Sequence, residues 1–405
     1  MGKIVLKFGG TSLANVKKIV NVAKIIQQKY RDGSKIIVVV SAAAGVTDDL
    51  IKKSKEVSSN FEKAELAVLL ASGEQISSAL LAAAIVELGM KSRTWLSWQI
   101  PIVTEGNFSA ARILHIETTK INEFIESGGI PIIPGFQGIS KDFRLTTLER
   151  GGSDSSAVAI AKFFNADHCE IFTDVEGVYT TDPNINNKAK KIDKISYDEM
   201  LEMSSLGAKV MQPNSIQTAM MHNIPIYVRS TFSKNQGTQI LSEEKIDHNT
   251  KVITGVTYSK TDAKITIVAV MDRPGVAAAI FEPLGKNDIN IDMVIQTAAA
   301  NGKETDVTFT IKRENLKKTI NLIENNKKNI NYQKLTFDDK VSKVSIVGAG
   351  MITSPGVTYR MFDALAKQGI NIKAISTSEI KISVLIEDSF VQKAVKALHT
   401  EFNLD

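Results

Sequence analysis

The first two thirds of this 405-residue chain alternate short, continuous apolar runs with longer stretches of helical period. That alternation restricts the fold more than any other feature. Lys3 to Phe8 and Ile36 to Ser41 are runs of the kind buried on both faces in a parallel sheet, and Leu13, Val16, Val20 and Ala23 recur between them at helical spacing. This reads as a βαβ unit. Further strands are expected at Ile100 to Thr104, Ile130 to Pro134, Cys169 to Thr173 and Ile224 to Arg229, with helices over 62–88, 109–127, 154–165 and 196–222. The pattern predicts an α/β fold with a mostly parallel sheet and helices on both faces. Ligands of such a sheet gather beyond the carboxyl ends of its strands, where helix N-termini and free N–H groups converge.

Ser233 to Thr250 is polar and lacks an apolar period, which places a domain boundary near 245. Beyond it the chain repeats itself. Pro274-Gly275-Val276, Phe281, Leu284, Lys286 and Ile289-Asn290-Ile291 recur 81 residues later as Pro355-Gly356-Val357, Phe362, Leu365, Lys367 and Ile370-Asn371-Ile372. Each copy runs strand, Pro-Gly turn, amphipathic helix, Asn-Ile strand, second strand and helix. The order, βαββα, is ferredoxin-like, and two βαββαβ modules are expected. Three domains are therefore expected, at 1–245, 264–339 and 340–405.

Composition narrows the function. Hydrophobic residues make up 43% and charged residues 23%, the balance of a globular chain with a real core. The net charge of +5 favours small anionic ligands, and no basic stripe suggests nucleic acid. No uncharged stretch approaches the ~18 residues of a spanning helix, so no membrane partner is expected. The single Cys169 forms no internal disulfide and no thiolate zinc site, and a reducing, cytosolic setting is expected. The five histidines lack ligand spacing, so no protein-held metal is expected.

Several short motifs carry chemistry. Lys7-Phe8-Gly9-Gly10-Thr11-Ser12 closes a strand and opens a helix, combining bendable backbone, exposed N–H groups and a cation suited to phosphate. An ordinary βα turn capped by Thr11 or Ser12 explains the glycines equally well; Lys7 is what it leaves unexplained. Glu74 is a lone carboxylate in a largely apolar helix. It sits either on a solvated stripe or as the receptor of an ammonium group. Arg150-Gly151-Gly152-Ser153-Asp154 joins a planar cation to a helix N-terminus, suiting carboxylate or phosphate. Thr173 to Pro183 comes after a strand at another carboxyl end, where Asp174, Tyr179 and Asp182 would meet a nucleoside or simply build a long turn. Val347-Gly348-Ala349-Gly350 mimics the start of a dinucleotide fingerprint but lacks its third glycine, and reads as a module turn.

Taken together, Lys-Phe-Gly-Gly-Thr-Ser at 7–12, Arg-Gly-Gly-Ser-Asp at 150–154, Phe-Thr-Asp-Val-Glu-Gly-Val-Tyr-Thr-Thr-Asp-Pro at 172–183 and Ile-Ser-Thr-Ser-Glu-Ile at 375–380 closely resemble the aspartokinase family over nearly the whole chain. The resemblance implies an amino-acid-kinase fold with tandem ACT modules, transfer of the ATP γ-phosphoryl group to the β-carboxylate of aspartate with Mg²⁺, and feedback by lysine or threonine. It implies Lys7 and Asp154 as catalytic groups. ATP would meet Lys7, Gly9, Gly10 and Lys209 on the phosphate side, and Thr173, Asp174, Tyr179 and Asp182 on the nucleoside side. Aspartate would meet Ser41, Thr47, Glu74, Arg150, Gly151 and Gly152. An effector would meet Asp272, Gly275, Ala279, Asn290, Asp292 and Gln296 of one module and Asn371 and Ile372 of the other. Gln212 and Asn214 depart from the usual run, where many relatives carry His and a basic residue.

The resemblance further implies a homodimer or larger assembly through the ACT modules. A kinase of the same fold acting on another acid, such as acetylglutamate, is the first competing reading; Glu74 with Arg150 and the two modules weigh against it. A non-catalytic amino-acid sensor is the second, and the presence of Lys7 and Asp154 weighs against that. A nicotinamide-dependent oxidoreductase rests on the Gly348 turn alone.

Overall fold

The computed structural model describes residues 2–149, 151–208, 210–246, 252–298 and 304–405. The chain divides into two compact units, Met1–Tyr179 with Lys191–Ser205 and Lys209–Asp247, and Thr180–Lys190 with Leu206–Ala208 and His248–Asp405.

The strands of the first unit are β1 (Lys3–Phe8), β2 (Lys35–Val40), β3 (Ser92–Thr94), β4 (Ile102–Glu105), β5 (Arg112–Ile116), β6 (Ile130–Pro134), β7 (Gln137–Ile139), β8 (Leu145–Thr147), β9 (His168–Thr173), β10 (Lys194–Ser196), β11 (Ile226–Ser230) and β12 (Thr238–Leu241). Its helices are α1 (Val16–Arg31), α2 (Val46–Val57), α3 (Lys63–Glu87), α4 (Thr119–Glu126), α5 (Gly152–Phe163), α6 (Tyr197–Ser205) and α7 (Pro213–Met221). The main sheet runs β10-β12-β11-β9-β1-β2-β6-β3, parallel from β11 to β3, with β12 and β10 reversed. Expectation and structure agree here. They part at 109–127, where the apolar spacing conceals β5 before α4 begins. Together with β4, β7 and β8, β5 forms a second sheet ordered β5-β4-β7-β8. The expected single helix over 196–222 is two, because Pro213 opens α7 at a position that lacks an N–H partner anyway.

The pleat of β1 explains the placement of its lysine. Ile4, Leu6 and Phe8 point into one core with Ile19, Val22 and Ile26 of α1. Alternation sends Lys7 to the opposite face, where α5 packs on β1. On the α1 side α3 also docks, touching α1, β3, β6 and β8. Among the described residues α3 is the one helix long and apolar enough to cross a membrane by length and composition. Its buried side, from Ala64 through Ala67, Ala71, Glu74 and Leu81 to Ile85, shows it to be a packed helix of this unit.

The second unit contains β13 (Gly255–Ser259), β14 (Asp262–Met271), β15 (Ile291–Ala298), β16 (Glu304–Lys312), β17 (Lys334–Asp338), β18 (Val341–Val347), β19 (Ala374–Thr377) and β20 (Lys381–Glu387), with helices α8 (Val276–Gly285), α9 (Leu316–Asn325), α10 (Lys327–Ile330), α11 (Val357–Lys367) and α12 (Val391–Glu401). Two antiparallel sheets result, β15-β16-β14-β17 and β13-β18-β20-β19. The first module is a contiguous βαββαβ. The second has no strand after α12, and β13 takes the place that β17 holds in the first. Ile253 and Val256 are accordingly 1% exposed within the second module's core. This module therefore gathers residues from both sides of the first, whereas the sequence repeat confines it to 340–405. Gly348 is part of this packing, since a Cβ there would lie 2.3 Å from the Val252 carbonyl oxygen.

Ile253→Ala should cost roughly 2 to 5 kcal/mol as a buried large-to-small change. The loss belongs to the second module, so hydrogen exchange should speed up in β18 and β20 while β14 and β16 keep their protection. Faster exchange confined to β14 and β16 would refute the assignment of this segment.

Candidate active site

Lys7 occupies the carboxyl end of β1, between Val39 of β2 and Ile171 of β9. It is 8% exposed, and its Nζ lies 2.5 Å from Oδ1 of Asp154, itself 7% exposed. Asp154 stands in the first turn of α5, which starts at Gly152 after Gly151 at φ +79°. A side chain at Gly151 would strike Gln212, and one at Gly152 would reach within 2.5 Å of Leu148 Cβ, so both positions need glycine for packing. The helix N-terminus and Lys7 then present positive potential to the same edge of the sheet.

Glu74 reaches that edge from α3. Gly73 lets α3 press on the loop after β2, since a Cβ there would lie 2.8 Å from Ala42 Cβ. Gly10 does the same from the β1 side, its virtual Cβ lying 2.7 Å from the Ala42 carbonyl oxygen. Glu74 is 4% exposed, and its Oε2 has no hydrogen-bond partner. Burial pushes its carboxyl up to about 7, against the backbone N–H of Ala42 and the charge of Lys7, which favour ionisation. Of its two sequence readings, the solvated stripe is thus excluded. A buried carboxyl with an unmet acceptor beside a lysine is fit to receive a cationic donor.

The other expected groups divide. Gly9 lies beside Lys7, its virtual Cβ 3.8 Å from Nζ, but its N–H already donates to the Phe172 carbonyl at 3.0 Å. Ser41 comes directly after β2 and donates its backbone N–H to the Phe8 carbonyl, and Thr47 stands half-buried in the first turn of α2. Thr173 ends β9, and its hydroxyl donates to the exposed Asp174 at 3.1 Å. Tyr179 bridges to Lys191. Asp182 belongs to the second unit, where Oδ2 accepts from the Tyr258 hydroxyl at 2.9 Å and Oδ1 from the Asn184 N–H at 2.9 Å, so its oxygens serve the fold. Arg150 and Lys209 lie outside the described residues. At the two positions that depart from the family's usual run, Gln212 packs on Gly151, and Asn214 Nδ2 donates to Glu149 Oε2 at 2.7 Å.

Three further residues contribute to the edge: the sequence marks Ser12 only as a possible cap and Ser153 only within its motif, and does not single out Thr231. Ser12 Oγ and Thr231 Oγ1 are 2.6 Å apart, both buried, and Thr231 donates its N–H to the Thr173 carbonyl. Ser153 packs against Gly135 just after β6. Each sits within a few residues of a strand's carboxyl end, the one signal that would find them.

The expected effector residues lie in the second unit. Asp272, Gly275 and Ala279 belong to the Pro-Gly turn and first turn of α8, Asn290, Asp292 and Gln296 to β15 and the residue before it, and Asn371 and Ile372 to the approach to β19. Met293 and Ile295 of β15 pack with Ala374 and Leu385, which puts these stretches side by side. Asp292 forms an ion pair with Lys343 of β18, which holds its carboxyl low although burial would raise it.

Comparison with known proteins agrees with this architecture. The amino acid kinase family matches over residues 2–230 and the ACT domain over 265–326 and 344–402. An aspartokinase of Bacillus sp. (strain MGA3) is 43% identical over 404 residues, covering all of this chain and 98% of that protein. An aspartate kinase of Pseudomonas putida is 41% identical over 405 residues, again covering all of this chain and 98% of the relative. The aspartate kinase of Clostridium acetobutylicum superposes with a TM-score of 0.81 at 26% identity, over 99% of this chain and all of that one. E. coli aspartokinase III, solved with aspartate and ADP, superposes at 0.83 over 99% of each chain; at 22% identity that likeness concerns the fold.

The raised carboxyl of Glu74 has a consequence for stability. The folded chain holds this proton more tightly than the unfolded one, so stability is lost as pH rises from the ordinary glutamate range, near 4.5, through about 7. Glu74→Gln removes the ionising group. Its melting temperature should exceed that of the parent by several degrees at pH 8 and by much less at pH 5; an equal difference at both values would contradict the burial argument.

Proposed function

The chain belongs to the amino acid kinase family and, within it, to the aspartokinases, and from that premise we propose how its residues divide the work of passing the ATP γ-phosphoryl group to the β-carboxylate of L-aspartate. It is an ATP-dependent phosphotransferase that acts on aspartate. The observation that carries the residue assignment is the convergence of Lys7, Asp154 and Glu74, all buried, at one sheet edge.

Both substrates are anionic, so the site's first task is to let them meet. Lys7 and the N-terminus of α5 offset charge on the transferring phosphoryl oxygens, and positioning with charge stabilisation suffices for this chemistry. Asp154 holds the Lys7 ammonium aimed at the edge. Glu74, with its unmet Oε2, takes the α-ammonium of aspartate, and Arg150 takes the α-carboxylate in a planar fork. Ser41, Thr47, Gly151 and Gly152 line the aspartate side. Gly9, Gly10 and Lys209 serve the phosphates, and Thr173, Asp174 and Tyr179 serve the nucleoside. Asp182 supports that loop from within the second unit. Among the described residues no group of three or more His, Cys, Asp or Glu side chains is placed to hold a metal ion, and Mg²⁺ enters with the nucleotide as MgATP. The product is a mixed anhydride, 4-phospho-L-aspartate. Lysine or threonine would act on the ACT modules, at a cytosolic enzyme assembled as a dimer or larger.

Hydroxylamine trapping with MgATP should give a hydroxamate from aspartate and far less from glutamate or acetylglutamate; the reverse order overturns the substrate. Lys7→Ala should lower kcat by at least about 100-fold, the scale of one lost charge-stabilising group. Because a lone buried Asp154 would cost about 3 to 5 kcal/mol, Lys7→Ala with Asp154→Asn separates folding from turnover. Retained turnover in that folded double variant removes Lys7 from the mechanism.

The aspartate KM should fall about tenfold per pH unit as pH rises toward 7 and level off above it, since only ionised Glu74 attracts the ammonium. Glu74→Gln should raise this KM and flatten the profile. An unchanged profile in Glu74→Gln excludes the ammonium contact.

A further inference from the structure

We propose that His399 is a positioning residue for the nucleotide-side loop, acting through the hydroxyl of Thr180. The inference rests on the reading of Thr173 to Tyr179 as that loop. Thr180 comes directly after Tyr179 and is 1% exposed, and the chain passes from the first unit to the second between these two residues. On the first side, Tyr179 bridges to Lys191, and Val178 accepts from the Ile192 N–H and donates to Thr238 Oγ1. On the second side, the Thr180 carbonyl accepts from the Val256 N–H at 2.7 Å, and its Oγ1 lies 2.8 Å from His399 Nε2.

The imidazole itself is fixed. His399 is fully buried in α12, with Nδ1 at 2.7 Å from Asp405 Oδ1. Asp405 Oδ2 accepts from Lys188 Nζ at 2.8 Å and from the Thr400 hydroxyl at 3.0 Å. Facing the acceptor Asp405, Nδ1 carries a ring hydrogen, so in the neutral ring Nε2 accepts the Thr180 hydroxyl, whose oxygen in turn accepts the Lys190 N–H at 3.0 Å. Lys188 and His399 hold the Asp405 carboxyl down to about 2, which keeps it an acceptor at any working pH. Every hydrogen in the line from Lys190 to Asp405 has one acceptor, and the line leaves Thr180 a single orientation. A second anchor stands two residues further on, where Asp182 is held by the Tyr258 hydroxyl. Thr180, the residue after Tyr179, is thus held by the His399 side chain of α12 and the Val256 N–H of β13.

Steady-state kinetics on the full chain test this with four variants. Thr180→Val removes the hydroxyl at nearly constant shape and should raise the ATP KM about threefold to tenfold, the worth of one buried hydrogen bond. It should leave the aspartate KM within about twofold. Thr180→Ser keeps the hydroxyl and should restore the parent value. His399→Gln, which keeps an acceptor for Thr180 but loses Asp405, should fall between. Tyr179→Ala serves as control for the loop itself. If Tyr179→Ala raises the ATP KM and Thr180→Val does not, the anchoring role is wrong and the nucleotide-side reading stands. If neither changes it, both are wrong. If Thr180→Val and Thr180→Ser shift both KM values and the melting temperature alike, Thr180 is only structural and the proposal fails.

Discussion

The ion pair between Lys7 and Asp154 is the interaction on which the site depends. Two charges withdrawn from water lose several kcal/mol of solvation each, and a well-packed apolar pair of the same size would often be no less stable. Stability therefore does not account for it. What the pair does is set a cation at the end of a central strand and hold it there, with β1's apolar neighbours facing α1 and the lysine facing α5. The register of β1 between β2 and β9 decides this. A slip of one residue would bury the ammonium among Val22 and Ile26 and turn Phe8 into the site.

Close backbone approach completes what the pair begins. Gly10 and Gly73 both meet Ala42, and Gly135 meets Ser153 at the start of α5, so three strand ends and two helices converge with only small side chains between them. This brings Glu74 within reach of the Lys7 charge although α3 docks on the other side of the sheet from α5. Because these contacts are close and made to backbone or to the first side-chain atom, they leave the groups little room to shift before any ligand arrives. The raised carboxyl of Glu74 is the cost of that arrangement, since the burial that makes an ammonium contact selective also makes the empty, ionised state unfavourable.

Much of this is legible in the sequence, for reasons that differ by element. The parallel strands β1, β2 and β6 are largely apolar runs, and such runs have few other uses. Lys7 stands out because an unpaired lysine inside one of them is costly to bury. β5 is not legible, because Ile113 and Ile116 merge with the helical spacing of Ile121 and Ile125, and its partner β4 is remote from the main sheet. Glu74 is ambiguous for a physical reason: whether a helix position is solvated depends on what Gly73 packs against, and only the fold supplies Ala42. The strand β13 escapes sequence reading because a repeat reveals only elements that recur in chain order, whereas a sheet edge accepts any strand of the right pleat.

The path of the chain ties the second unit to the catalytic sequence at two places. Besides 252–405, the second unit includes two short stretches embedded in the catalytic sequence, Thr180–Lys190 and Leu206–Ala208. The first comes directly after Tyr179, and the second directly precedes position 209, so each adjoins a segment assigned to the nucleotide. At Gly207, φ is +124° and a side chain would come within 2.1 Å of the Tyr258 carbonyl, and Tyr258 also holds Asp182. One strand, β13, therefore meets both stretches, and it is the same strand that closes the second module's sheet.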